Sequence, residues 1–456
     1  MHIHILGICG TFMAGIAALA KSQGHKVTGC DQNVYPPMST QLNDLDIKII
    51  EGYDANQIKL KPNIFIIGNV ISRGNPLIEN ILNNNLRYQS GPEWLYENIL
   101  NDKWVLAVAG THGKTTTSSM LAWILESNDL APGFLIGGIP KNFKVSARLP
   151  TNSKKNFPSF FVIEADEYDT AFFDKRSKFI HYHPHTLVMN NLEFDHADIF
   201  DDLNHIKKHF HHLVRIIPEN GRIISNAQSK PLDSVIKLGI WSELEFFNDD
   251  KGWSYQWVDN RNSINILYKN KKQGSLDWEL IGDHNASNAL ASIAAANHIG
   301  IPISKSIEAL KTFKGVKRRM EKIGEYKNNI KVYDDFAHHP SAIKSTLDGM
   351  KRMQKEGRII AVIEPRSNTM KLGSMKKDLQ NSLTSADIIY CYKNNLDWDP
   401  SELFENDKKV RVSNSTQWIL DSIIEEKKVN DQIVFMSNGG FSGIQNKCLN
   451  LFENEE

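Results

Sequence analysis

Trp104-Val105-Leu106-Ala107-Val108-Ala109-Gly110-Thr111-His112-Gly113-Lys114-Thr115-Thr116-Thr117 decides how this chain folds. The apolar run has the length and continuity of a strand buried on both faces. Gly110 and Gly113 mark a tight turn, and the threonines open a helix. That order of elements turns backbone N–H groups toward one point, where the helix dipole adds positive charge and a phosphate is held. Lys114 reaches the β- and γ-phosphates, and the Thr115 hydroxyl joins a Mg²⁺ shell. Where the usual G-x-x-x-x-G-K loop has its first glycine, this chain has Val108, so the loop is a variant.

Two acidic clusters follow at the ends of apolar runs. Phe160–Asp166 leads into Glu164-Ala165-Asp166-Glu167-Tyr168-Asp169, and His185–Asn191 leads into Asn191-Leu192-Glu193-Phe194-Asp195-His196-Ala197-Asp198. Ligands of open α/β sheets gather at the carboxyl ends of strands. Alone, either cluster reads equally well as solvated loop acids. Beside a phosphate loop, the two read as ligands for Mg²⁺ around a triphosphate.

On the N-terminal side, runs at 2–8, 25–31 and 63–69 read as strands, with helical segments at 13–22 and 91–100. Strands alternating with helices argue for α/β architecture with parallel sheets. Gly7-Ile8-Cys9-Gly10, followed by Gly15, approaches a dinucleotide turn, but its glycines are spaced three and then five apart. Asp31 stands where a ribose-binding acid is expected. Nicotinamide, another nucleotide diphosphate and simple tight packing account for it equally well. On the C-terminal side, 228–280 is polar and alternating and reads as antiparallel strands at a sheet edge. Residues 286–300 form an Ala-rich helix stopping at Gly300. Further strands are expected at 331–336, 358–365, 386–393 and 431–438, with unit boundaries near 102 and 315. Asn285 and Asn288 in Gly282-Asp283-His284-Asn285-Ala286-Ser287-Asn288 suit an adenine edge or a helix cap. The clusters His181/His183/His185 and His209/His211/His212 read as structural.

The 456 residues carry 53 Lys+Arg and 53 Asp+Glu, so a basic nucleic-acid footprint is absent. No apolar stretch reaches the length of a membrane span, and the N-terminus reads as a strand, not a leader. Four scattered cysteines lack metal spacing and suit a reduced, cytoplasmic chain.

Taken in order, Gly7–Gly15, 110–117, 164–169, 190–198, 282–288, 313–321 and 334–340 resemble the Mur ligase family, over essentially the whole chain. The resemblance implies three domains: a Rossmann-like UDP-sugar-binding domain (1–102), a P-loop-type ATPase domain (103–315) and a Rossmann-like closing domain that helps bind peptide (316–456). It implies ATP as co-substrate and two Mg²⁺ sites. Gly110, Thr111, His112, Gly113, Lys114, Thr115, Thr116, Asn285, Asn288, Arg319 and Asp334 would contact ATP. Thr115, Glu164 and His196 would hold metal, with Lys114, Glu164 and His196 catalytic. Gly7, Gly10, Thr11, Gly15 and Asp31 would hold the UDP-sugar, and Arg366, Ser367 and Asn368 the peptide. Lys207 and Lys208 match no carbamylated-lysine position, so none is expected.

The segments 31–40, 66–76, 171–179, 191–203 and 363–371 resemble the branch joining UDP-N-acetylmuramate to L-alanyl-γ-D-glutamyl-meso-diaminopimelate for cell-wall recycling. UDP-N-acetylmuramate–L-alanine ligase is the nearest alternative, and a P-loop NTPase without ligase activity is a remote one. A nicotinamide oxidoreductase would leave 110–117 unexplained. His338 or Asp335 is the expected base for the amine. The expected partners are these two substrates, not nucleic acid or membrane, and the expected state is a monomer or weak homodimer.

Overall fold

The computed structural model describes residues 1–34, 38–151, 158–258, 263–280 and 282–453. Residues 35–37 of the resemblance segment 31–40, and 259–262 of the stretch read as edge strands, lie outside them.

The first sheet comprises β1 (His2–Leu6), β2 (Lys26–Asp31), β3 (Lys48–Glu51), β4 (Ile64–Ile67) and β5 (Tyr88–Ser90), all parallel in the order β3-β2-β1-β4-β5. Helix α1 (Thr11–Ser22) follows β1. Gly15 on α1 faces the central sheet. A Cβ there would lie 2.1 Å from Leu135 Cδ1, so the helix packs closely at that point.

Among the described residues the central sheet has ten strands: β6 (Trp104–Ala109), β7 (Gly133–Leu135), β8 (Ala147–Arg148), β9 (Phe160–Ala165), β12 (Thr186–Met189), β13 (Arg222–Asn226), β14 (Glu243–Phe247), β15 (Trp253–Trp257), β16 (Ser263–Tyr268) and β17 (Lys271–Asp277). The hairpin β10 (Asp169–Ala171) and β11 (Asp174–Ser177) stands apart from it. Strand β6 lies between β9 and β12, parallel to both, with Val108 opposite Glu164 and Val188. The carboxyl ends of these three strands therefore share one edge. Side chains of β6 alternate faces. Leu106 and Val108 enter the core beneath α2 (Lys114–Ser127) and α3 (Asp283–His298), while Val105, Ala107 and Ala109 enter the opposite core. The small residues of α3 let it approach α2, where Ser292 Oγ donates to the Thr117 carbonyl at 3.0 Å.

The stretch 228–280 differs in part from the sequence reading. Antiparallel pairing holds only for β15, β16 and β17, whereas β14 runs parallel to β13. Lys230–Ile236 is helical, with proline in its first turn and Leu232 and Val235 buried three residues apart.

The third sheet contains β18 (Glu321–Tyr326), β19 (Ile330–Asp335), β20 (Ile359–Ile363), β21 (Ile388–Tyr392), β22 (Val410–Ser413) and β23 (Gln432–Met436), in the order β18-β19-β23-β20-β21-β22. Only β18 is antiparallel to its neighbour. Helix α4 (Pro340–Met353) follows β19 and packs beside α3. Among the described residues, no helix is long and apolar enough to cross a membrane.

Candidate active site

The turn after β6 is built by geometry that glycine alone accepts easily. Gly110 and Gly113 have φ of 141° and 79°. A Cβ on Gly113 would meet Asn288 Oδ1 at 2.6 Å and Asn190 Nδ2 at 2.9 Å. Asn191, two residues beyond β12, braces the turn, accepting at Oδ1 from the His112 N–H at 2.7 Å. Asn288 Oδ1 accepts from Thr117 Oγ1 at 3.0 Å, so Asn288 is tied to the loop helix. A cavity of about 490 Å³ opens over this loop and is lined by the central and third domains.

Lys114 Nζ donates to Glu167 Oε2 at 2.8 Å. Thr115 Oγ1 donates to Glu164 Oε1 at 3.0 Å, and the Gly137 N–H reaches the other Glu164 oxygen at 2.6 Å. From the third domain, Arg319 Nη2 donates to Thr115 Oγ1 at 3.1 Å. Glu167 Oε1 faces His196 Nε2 at 3.4 Å, and Lys178 Nζ pairs with Asp166 Oδ2 at 2.9 Å. Burial opposes charge on Lys114, Asp166, Glu167 and His196, and the attraction among these charged neighbours outweighs it. Lys114 and His196 are accordingly raised in pKa, and Asp166 and Glu167 lowered.

The side chains of the expected metal set fall into two groups. Thr115 and Glu164 meet as the sequence suggested. His196, however, sits with Asp166 and Glu167, whose ligand atoms and its own all lie within 4.8 Å of one another. Glu164 is turned away by its bonds to Thr115 and Gly137. Two carboxylates and an imidazole fit a divalent cation. The cavity also suits a nucleotide. Asn190 lines it, and its buried Oδ1 has no partner among the described residues.

Adjacent strand residues face opposite ways, so Asp334 and Asp335 meet different surroundings. Asp334 points to Arg318 Nε at 3.1 Å and to Gln445, away from the cavity. Asp335 lines the cavity instead, accepting from the Ala337 and Met320 N–H groups at 2.7 and 3.1 Å. Burial raises the pKa of Asp335 and depresses His338 to about 4. His284 and Asn285 line the opposite wall, with His284 Nδ1 2.8 Å from Ser345 Oγ of α4.

The third domain touches the central one around the cavity rim. Ser341 Oγ donates to Glu193 Oε2 at 2.6 Å, and His112 and His339 each lie 3.3 Å from that oxygen. Arg352 Nη2 donates to Asp283 Oδ2 at 2.5 Å, while Tyr255 and Trp257 donate to its other oxygen at 2.8 Å.

The N-terminal turn is local. Gly7 has φ of 77°, Gly10 caps α1, and Thr11 opens it. Asp31 Oδ2 accepts from the Cys9 N–H at 2.9 Å, bracing the turn. Gly15 stands apart, at the packing contact with Leu135. In the third domain, the Arg366 guanidinium lies over Gly439, where a Cβ would be 1.6 Å from Nη1. Ser367 Oγ caps the short helix Asn368–Lys371. Sequence reasoning passed over Glu167, although it lies within the quoted acidic motif. Lys178 and Thr369 lie inside the resemblance segments 171–179 and 363–371, but sequence reasoning gave neither a role of its own.

Family models cover the chain in three successive blocks. Residues 2–103 match "Mur ligase family, catalytic domain", 108–296 "Mur ligase middle domain", and 318–439 "Mur ligase, glutamate ligase domain". The chain is 50% identical to an Escherichia coli protein and 48% identical to a Haemophilus influenzae protein, over 98% of each chain. The chain belongs to the Mur ligase family.

Both relatives of this Mur ligase are UDP-N-acetylmuramate–L-alanyl-γ-D-glutamyl-meso-2,6-diaminoheptandioate ligases. A solved murein peptide ligase from Psychrobacter arcticus superposes on this Mur ligase with a TM-score of 0.77, at 43% identity over 100% of this chain and 99% of that one. A UDP-N-acetylmuramate–L-alanine ligase from Endomicrobium trichonymphae is 31% identical over 85% of this chain and 83% of its own.

Proposed function

We propose that this protein joins the lactyl carboxylate of UDP-N-acetylmuramate to the L-alanyl amine of L-alanyl-γ-D-glutamyl-meso-diaminopimelate, forming ADP and phosphate, in recycling of cell-wall peptide. The observation that carries this reading is full-length identity of 48–50% to ligases of that tripeptide, against 31% over 85% of the chain for an alanine-adding ligase. Mur ligases use ATP and Mg²⁺.

A carboxylate is a poor acyl donor because oxide would have to leave. Transfer of the γ-phosphoryl group to a carboxylate oxygen, with ADP departing, gives an acyl phosphate whose leaving group is phosphate. Two anions must meet in that step, so its barrier is largely electrostatic. In this reading Lys114 leaves Glu167 for the transferring phosphate, and the N–H groups of 110–116 cradle the phosphate chain. Arg319 adds a cation from the third domain. Asn285 and Asn288 border the adenine side, with Asp335 in the role the sequence gave to Asp334. Thr115 and Glu164 would hold one Mg²⁺, and Asp166, Glu167 and His196 a second. The metal would supply charge neutralisation and alignment.

The amine nitrogen then attacks the acyl carbon, the C–O bond to phosphate breaks, and the nitrogen loses a proton. His338, kept neutral by burial, and Asp335 are candidate acceptors. The Gly7–Thr11 turn with Asp31 would hold the UDP diphosphate, and Arg366, Ser367 and Asn368 the peptide. The acyl phosphate must be kept from water, a task that suits the rim contacts of the third domain.

Phosphate release tests this reading. Release should require ATP, UDP-N-acetylmuramate and tripeptide together. Equal release without the sugar nucleotide would instead establish a plain NTPase.

A further inference from the structure

The loop after β12 carries His196 into the acidic cluster in a conformation that it does not adopt by itself. His196 has φ of 56°, a left-handed backbone that a non-glycine residue keeps only where neighbours impose it. Part of the restraint is local: the His196 N–H donates to Asp195 Oδ1 at 2.8 Å. The rest comes from another domain. Thr369 Oγ1 donates to the same Asp195 oxygen at 2.9 Å and accepts from the Ala197 N–H at 3.4 Å. One hydroxyl thus holds the residues on both sides of His196. Thr369 and Asp195 are 1% and 5% exposed, so water does not compete for these bonds.

Thr369 is also three residues beyond Arg366, inside the short helix capped by Ser367. Trp398 Nε1 anchors the next carbonyl, Met370, at 2.8 Å. The corner that offers Arg366 to a peptide carboxylate and the hydroxyl that brackets His196 therefore belong to one braced segment.

We infer that Thr369 is a positioning residue that couples the peptide-binding corner of the third domain to His196, holding the imidazole in place for reaction. The inference rests on the function proposed above. His196 would be set correctly only when the third domain is seated, which links acyl phosphate formation to a site ready to consume it. A residue of this kind acts on turnover and leaves the affinity for ATP unchanged.

The test is steady-state kinetics of Thr369→Val and Thr369→Ser. Valine keeps the shape and removes both hydrogen bonds, while serine keeps them. Loss of a hydrogen bond to a charged group predicts that Thr369→Val lowers kcat about tenfold to a hundredfold. Its KM values for ATP and UDP-N-acetylmuramate should stay within about twofold, and Thr369→Ser should recover most of the turnover. Three results overturn the assignment: wild-type kinetics in Thr369→Val, equal impairment in Thr369→Ser, or a loss confined to KM for ATP. Should the valine variant not fold, Thr369→Ala compared with Thr369→Ser carries the same contrast. A wild-type enzyme that does not join the tripeptide sinks the proposed function. A wild-type enzyme that does so, with Thr369→Val its equal, sinks only the role of Thr369.

Discussion

Lys114 Nζ and Glu167 Oε2 lie 2.8 Å apart with side chains 11% and 3% exposed, so the phosphate-loop lysine already has a buried carboxylate partner. A phosphate entering the cavity competes with that carboxylate for the same ammonium. The pair keeps a buried cation stable before substrate arrives.

Removing one member therefore costs both stability and activity. Lys114→Met leaves the buried Glu167 with His196 as its remaining cationic neighbour, and the destabilisation should approach the roughly 3–5 kcal/mol of a broken buried pair. Turnover should fall by at least about two orders of magnitude. Adding Glu167→Gln to Lys114→Met should restore much of the stability and none of the turnover. Urea denaturation beside phosphate-release assays checks this.

Arg352 and Asp283 join the third domain to the central one at the cavity rim, with side chains 36% and 49% exposed. Burial disfavours the charged Asp283, but bonds from Arg352, Trp257 and Tyr255 override it and hold its pKa at about 2. A half-exposed pair adds little to folding, within about 1 kcal/mol. It acts on the closed arrangement instead. Arg352→Ala should raise KM for ATP by roughly three- to tenfold, with little change in unfolding midpoint. A midpoint that drops with KM unchanged would remove the pair from the closing contacts.

Burial depresses His4, His209, His284, His298, His338 and His339 to about 4. Their ordinary value is 6.5, so the unfolded chain binds more protons than the folded one between those values. Stability should therefore fall as pH drops from 6.5 toward 4. His196 works in the opposite sense. Burial lowers its pKa, but Glu167 and Asp195 raise it above 6.5, so its contribution is present below 6.5 and lost as pH rises through the raised value. The depressed histidines outnumber the raised one, which makes the acid side decisive. Urea midpoints at pH 7.5, 6 and 5 should decline in that order, and His338→Asn should flatten the decline.

The sequence was most informative where chemistry and backbone geometry coincide. The strand–turn–helix at 104–117 is explicit because both glycines take positive φ and the apolar run is buried on both faces. Glu164 and His196 were recognisable as strand-end residues, but which carboxylate meets His196 was not. That depends on Gly137, a residue 27 positions from Glu164, which captures one of its oxygens. Asp334 and Asp335 are indistinguishable as a pair of letters, and the pleat of β19 decides which one enters the cavity. Gly15 resembled part of a nucleotide turn because its packing partner, Leu135, lies far along the chain. Thr369 sits in the singled-out segment 363–371, but its role was not legible there, since it arises only where two domains meet.

The central claim is that the amine joined to UDP-N-acetylmuramate belongs to a tripeptide. The most direct measurement offers the wild-type protein ATP, Mg²⁺, UDP-N-acetylmuramate, and equal amounts of tripeptide and L-alanine, and weighs the product. The account predicts a product heavier than UDP-N-acetylmuramate by the tripeptide less one water. A product heavier by a single alanine residue would contradict it.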